Sequence, residues 1–161
     1  MKVHQALQAI GYGVLPDRLD DPPRFRLVVA GTHARVERQI WEPVVRACLG
    51  LVAARHESVR LAHGAAVCVD SWADATGHHL GWDVKRYEAD WAHLSRAAGP
   101  IRNGFMLRSE RPDLVLGFLC RASSPGTVNC LVQARRLGLR TVTVTGEDLL
   151  VWDDVRSPIA V

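Results

Sequence analysis

The chain has 161 residues, a formal net charge of +3 and 48% apolar residues, which fits one ordinary domain with enough apolar material for a full core. A charge balance this small does not mark a nucleic-acid binder, and no run approaches the roughly 18 uninterrupted apolar residues of a membrane span. The opening "MKVHQALQAIGYG" lacks a long apolar segment and a small-residue cleavage site, so a cytoplasmic protein with no membrane partner is expected.

Lys2 and Lys85 are the only lysines; every other basic residue is arginine. Arginine suits phosphate and carboxylate geometry, but a GC-rich genome gives the same bias. Cys48, Cys68, Cys120 and Cys130 form no C-x-x-C pair and each sits in an apolar context. Reduced thiols inside the fold are therefore expected, rather than disulfides or zinc ligands. His78 and His79 are adjacent, so on a helix they point apart. No metal and no cofactor is expected.

Residues 1–24 read as an N-terminal arm. "HQALQAI" has the pattern of one or two helical turns, and "PDRLDDPPR" that of a linker. Residues 25–161 read as a single nucleotide-binding domain with a short C-terminal extension. "FRLVVAG" (25–31) is a buried strand ending at glycine. In "ARVERQIWEPVVRACLGLVAAR" the apolar positions Val36, Ile40, Val44, Val45, Cys48 and Val52 recur at helical spacing, and Pro43 is placed to kink or divide the helix.

"VRLAHG" (59–64) is the second strand, and "CVDSWADATGHHLG" a helix closed by Gly81. "WDVKRYEA" is a third, partly alternating strand. "DWAHLSRAAGPIRNGFMLRSE" is loop and helix interrupted at Gly99-Pro100. "PDLVLGFLC" (112–120) is the most continuously apolar strand. "GTVNCLVQARRLG" is a helix stopped by Gly138, and "LRTVTVTG" the fifth strand. The tail "EDLLVWDDVRSPIAV", apolar from Leu149 to Trp152, suits either an added edge strand or a dimer contact.

Alternating strands and helices of these lengths predict an α/β fold: a Rossmann-like, doubly wound, mainly parallel sheet with helices on both faces. Such sheets bind ligands beyond the carboxyl ends of their strands. After strand one, Gly31 permits close backbone approach, and Thr32 either caps a helix or meets a phosphate; His33 follows. After strand two, His63 serves a ligand or the backbone, Gly64 is a turn glycine, and Asp70 serves a ribose or acts as a helix-start anion.

After strand three, Asp90-Trp91 sets a carboxylate beside a large ring. Gly99-Pro100 would start a helix whose first turn holds Ile101, Arg102 and Asn103. A cation there opposes the helix dipole, and an anionic ligand or an acidic side chain would resolve the conflict. After strand four, Ser123, Ser124, Gly126 and Thr127 offer hydroxyls and free N–H groups at a helix N-terminus, either as an ordinary cap or as a phosphate site. The segment has neither the Lys-Ser/Thr end of a P-loop nor the G-x-G-x-x-G fingerprint.

Four segments together carry a resemblance: "LVVAGTH" (27–33), "HGAAVCVDSWA" (63–73), "ADWAHLSRAAGPIRNGFM" (89–106) and "DLVLGF" with "PGTVN" (113–129). Through them the chain resembles the SLOG superfamily of Rossmann-like nucleotide-binding domains, within it the small YspA/cpYpsA-related proteins. The resemblance covers roughly residues 25–145. It implies a nucleotide or ADP-ribose-like ligand, homo-oligomers (dimers or larger), and kinship with the LOG phosphoribohydrolases, the DNA-processing protein DprA and sensor domains of antiviral systems. The second motif of these small proteins usually reads His-Gly-Gly-Ala-Arg-Gly-Ala-Asp. Here Ala65 and Cys68 replace glycines and Val67 replaces the arginine.

LOG enzymes also pair an arginine, matched by Arg102, with a glutamate three residues past the Gly-Thr pair. Cys130 occupies that position, and a neutral thiol cannot stabilise a sugar cation or direct water to it. The expected function is therefore binding: a sensor or sequestering protein for a nucleotide or NAD-derived signal, as in bacterial defence or phage counter-defence. The alternative is an N-glycosidic hydrolase drawing its carboxylate from Asp70, Asp90 or Glu110. The weak net charge and the lack of a basic, aromatic-rich stripe argue against nucleic acid as a partner.

Overall fold

The computed structural model describes residues 24–32, 36–120, 124–145, 151–153 and 156–159. The arm before Arg24, together with His33 and Ser123, lies outside the described residues, as do Leu149 and Leu150 of the tail. The elements run β1 (Phe25–Gly31), α1 (Arg38–Ala53), β2 (Val59–His63), α2 (Val69–His79), β3 (Asp83–Arg86), α3 (Trp91–Leu94), a 3-10 turn (Ser95–Ala97), α4 (Ala98–Glu110), β4 (Leu114–Leu119), α5 (Pro125–Arg136), β5 (Thr141–Thr145), β6 (Val151–Asp153) and β7 (Arg156–Ile159).

The strands form one sheet in the order β3-β2-β1-β4-β5-β6-β7. The first five are parallel: β1 sets Phe25 opposite Val59 of β2 and Leu27 opposite Leu114 of β4. β2 with β3 and β4 with β5 complete the parallel section. The tail contributes β6 and β7, which add to the β5 edge antiparallel. Strand order reverses between β1 and β4, so the connections on either side of that boundary diverge and leave a crevice at the carboxyl ends.

Alternation along the strands sorts side chains into two cores. Leu27, Val29, Leu61, Leu116 and Phe118 face α1 and α2, packing on Trp41, Val45, Leu49 and Ala73. Val28, Ala62 and Val115 face the other way onto Met106 and Leu107 of α4 and Cys130, Leu131 and Ala134 of α5. The result is three layers, the doubly wound arrangement expected from the alternating pattern. Gly81 and Gly138 end their helical segments with φ of 73° and 71°, a conformation that costs glycine little.

Three local expectations are corrected. Pro43 does not divide α1, which runs unbroken from Arg38 to Ala53. The buried stripe of α1 is Trp41, Val45, Leu49 and Val52, while Ile40 is 53% exposed; the apolar face is turned about one residue from the aliphatic spacing. The helix after β3 is not broken at Gly99-Pro100. Its break falls at Ser95, whose φ is 47°, and α4 begins at Ala98. Pro100 is its third residue, where a missing N–H removes no intrahelical bond. Arg102 therefore sits in the second turn, and no dipole conflict marks it.

Candidate functional site

A cleft of about 510 Å³ opens at the carboxyl ends of the strands, within the usual range for small-molecule sites. Its floor is Val29, Ala30 and Gly31 of β1 with Met106 of α4. One wall is the loop from Gly64 to Val67 with Asp70. Another is Glu88, Ala89 and Trp91, and the last comprises Arg102, Asn103, Gly126 and Thr127. Gly31 has to lack a side chain, because a Cβ there would strike Val69 at the start of α2.

Two residues of the cleft wall, on different helices, each carry a buried polar atom without a partner. Thr127 is 3% exposed and lies in the first turn of α5, and its Oγ1 makes no hydrogen bond. Its neighbour Ser124 precedes the helix but supplies no cap bond. The first intrahelical donor is the Val128 amide, which reaches Ser124 O at 3.0 Å. The Gly126 and Thr127 amides donate to no described residue, the usual state of a helix's first amides. Asp70, in the first turn of α2, is 4% exposed. Its Oδ2 accepts from the Gly64 and Ala66 amides, both at 3.1 Å, while Oδ1 has no partner. Burial pushes the Asp70 carboxyl up to about 7, against the opposing pull of the Ala66 amide, Arg102 and the Gly64 amide.

Arg102 reaches across from α4. Its Nη1 donates to the carbonyls of Gly64 and, at 2.9 Å, Tyr87, and its Nε donates to Asn103 Oδ1 at 2.9 Å. Its Nη2 donates to no described residue. Burial draws the guanidinium below its ordinary value, with Asp70 pulling it back. Gly64 makes room for it, because a Cβ there would fall on the guanidinium. Asn103 is buried and donates to Gly126 O at 3.3 Å and Asn129 Oδ1 at 3.2 Å. Gln133 adds bonds to Asn129 Oδ1 and Pro100 O, so a polar seam fixes α4 against the start of α5.

Not every candidate comes to the cleft. Thr32 and Ser124 bond each other through their hydroxyls at 2.5 Å, and the Cys120 amide donates to Thr32 at 3.3 Å. Both serve to tie the ends of β1 and β4 together. His63 is 1% exposed. Its Nδ1 accepts from the Ala65 amide at 3.1 Å, which places the proton on Nε2 for donation to Asp74 Oδ2 at 2.7 Å. Burial lowers its pKa, against Asp74. Arg86 forks onto Asp74 at 2.7 and 2.8 Å and holds that carboxyl well below the usual range. Asp90 is exposed and caps α3, accepting from the His93 amide at 3.2 Å.

Glu110 is buried behind the sheet, on Arg60 at 2.7 Å and the Tyr87 hydroxyl at 2.6 Å. Cys130 is 1% exposed, and burial pushes its thiol up to about 12, so it is a core residue rather than a reactive one. The other three cysteines are half-buried free thiols. Among the described residues, no helix is long and apolar enough to cross a membrane.

Glu88 lines the cleft although the sequence reading passed over it. It follows "DVKRY", where a charged residue reads as the tail of a strand. Ending β3 at Arg86 rather than Ala89 turns it toward the ligand side. The loop from Gly64 to Cys68 was legible only as a motif. Ala65 and Cys68 adopt φ of 56° and 61°, the left-handed region in which glycine is at ease. These are the two positions of the YspA-like pattern's three glycines at which this chain carries another residue.

Fold and cleft define an α/β, Rossmann-like chain with a concave site at the point where strand order reverses. No protein-family model matches the chain, and no curated protein matches it significantly. Among solved structures, the chain is similar to protein VC1899 from Vibrio cholerae, with a TM-score of 0.50 at 10% identity. The likeness covers 84% of this chain and 36% of that one, so this chain spans about a third of that protein's length, and the likeness concerns the fold.

Proposed function

We propose that the chain binds a nucleotide or an ADP-ribose-like, NAD-derived molecule and acts as a sensor or a sequestering protein for it. The observation that carries this reading is the pair of unpartnered buried atoms, Thr127 Oγ1 and Asp70 Oδ1, on two residues that line one cleft at two helix starts. A phosphate fits the donors of Gly126 and Thr127. The Nη2 of Arg102, which donates to no described residue, supplies a positive edge beside it. A sugar hydroxyl fits Asp70 Oδ1. The glycine-like torsions at Ala65 and Cys68 add support, because the resemblance to SLOG domains places glycines there.

Titration calorimetry with AMP, ADP-ribose and NAD tests the reading. At least one ligand should bind, and Thr127→Val, which keeps the shape but removes the hydroxyl, should weaken it by about tenfold or more. No heat with any of them at high micromolar concentration would sink it.

A second reading, hydrolysis of an N-glycosidic bond, draws on two carboxyls in the cleft, Asp70 and Glu88. A group titrating near about 7 is suited to proton exchange at neutral pH. Incubation with AMP and NAD followed by chromatography separates the readings. Release of free base by the wild type, lost in Asp70→Asn, would place hydrolysis first.

A further inference from the structure

The half of the cleft away from Thr127 has its own chemistry. Trp91 is 59% exposed, an unusual state for the largest apolar side chain, and it lines the cleft. It is not a stray surface ring. Its six-membered edge rests on α4 at Gly99, where an added Cβ would come within 3.2 Å of it. Gly99 thereby gives the ring a seat, and the rest of the indole is left open. Val67, also 59% exposed, lines the same cleft from the β2–α2 loop. Glu88 is exposed and lines both this cleft and the smaller cavity beside Arg86, whose charge it feels, and it makes no hydrogen bond or ion pair with any described residue. An open indole, an apolar lip and an acceptor-only carboxylate suit a flat ring that carries an N–H donor on its edge.

We propose that this outer half is a base subsite, in which a nucleobase with an exocyclic amino group stacks on Trp91 and directs that amino group to Glu88. The inference rests on the nucleotide-binding reading above and adds which bases the cleft favours. The phosphate end would hold any sugar phosphate; the Trp91 end separates adenine-type from oxo-type rings. Repulsion between Glu88 and the exocyclic carbonyl oxygen that takes the place of adenine's amino group supplies the discrimination, because a carboxylate has no proton to donate to it.

The test is calorimetry with AMP, inosine monophosphate and ribose 5-phosphate on the wild type and three variants. AMP should bind about tenfold or more tightly than ribose 5-phosphate, and more tightly than inosine monophosphate. Trp91→Ala should bring AMP close to ribose 5-phosphate and leave ribose 5-phosphate unchanged, whereas Trp91→Phe keeps most of the difference. Glu88→Gln should erase the preference for AMP over inosine monophosphate, since an amide both donates and accepts. Equal wild-type affinity for AMP and ribose 5-phosphate would overturn the base subsite and leave phosphate binding standing. So would a loss in Trp91→Ala that is the same for both, which would give Trp91 a structural role. Failure of the wild type to bind any of the three would remove the nucleotide reading and the subsite with it.

Discussion

Asp70 concentrates the behaviour of the site in one side chain. One oxygen holds the Gly64 and Ala66 amides and the other is left without a partner. Its folded-state pKa, about 7, lies above the ordinary carboxylate value. As pH rises from about 4, the unfolded chain loses this proton first while the folded chain keeps it. Stability therefore falls between pH 4 and about 7, and levels off above. Asn keeps the oxygen that accepts the two amides but cannot ionise. Relative to wild type, Asp70→Asn should gain on the order of 2 to 4 kcal/mol between pH 4 and pH 8. Urea unfolding at the two pH values reads this, and a constant difference would contradict it.

Asp70 was legible in the sequence because a carboxylate two residues into a helix after a strand is a recognisable position. The mutual bond of Thr32 and Ser124 was not. Each hydroxyl looks like a ligand donor in its own segment, and only the pairing of β1 with β4 brings them together across a separation of 92 positions.

At the scale of elements, strands were read more faithfully than helix faces. β1 coincides with "FRLVVAG" because a β-branched run closed by glycine has few alternatives. The stripe of α1 was misphased for a definite reason. Trp41 and Leu49 carry the burial, and a reading led by Ile40, Val44 and Cys48 turns the helix by about one residue, roughly 100°.

The β2–α2 loop shows the opposite limit. The positive torsions leave no trace in a sequence that carries Ala65 and Cys68 rather than glycine there. Cys68, with φ 61° and ψ −110°, sits where a side chain is strained. Cys68→Gly should stabilise the chain by about 1 kcal/mol, the strain relief exceeding the added freedom of the unfolded glycine. A lowered urea midpoint in that variant would mean that the loop carries no such strain.

For the whole molecule, the alternation of strand and helix announced the layered fold, and the reversal of strand order located the cleft. The cleft's contents depended on where β3 stops and where α4 starts, boundaries that sequence patterns define poorly. The sheet is the foundation of both halves. Phe118, fully buried at the meeting of β4 with the α1–α2 layer, is its largest anchor. Phe118→Ala should cost about 3 to 5 kcal/mol in chemical denaturation; a loss under 1 kcal/mol would mean that the layer repacks around it.

The loop of Gly64 to Ala66 also divides space. Ala65 and Ala66 line the main cleft on one side and, on the other, a smaller cavity of about 280 Å³ bounded by His63, Asp74 and Arg86. The partition is a single strand of backbone whose amides alternate sides: those of Gly64 and Ala66 turn to Asp70, and that of Ala65 to His63. Such a membrane-thin wall cannot be remodelled from one room alone. The same three residues thus anchor a carboxylate in the larger chamber and an imidazole in the smaller one.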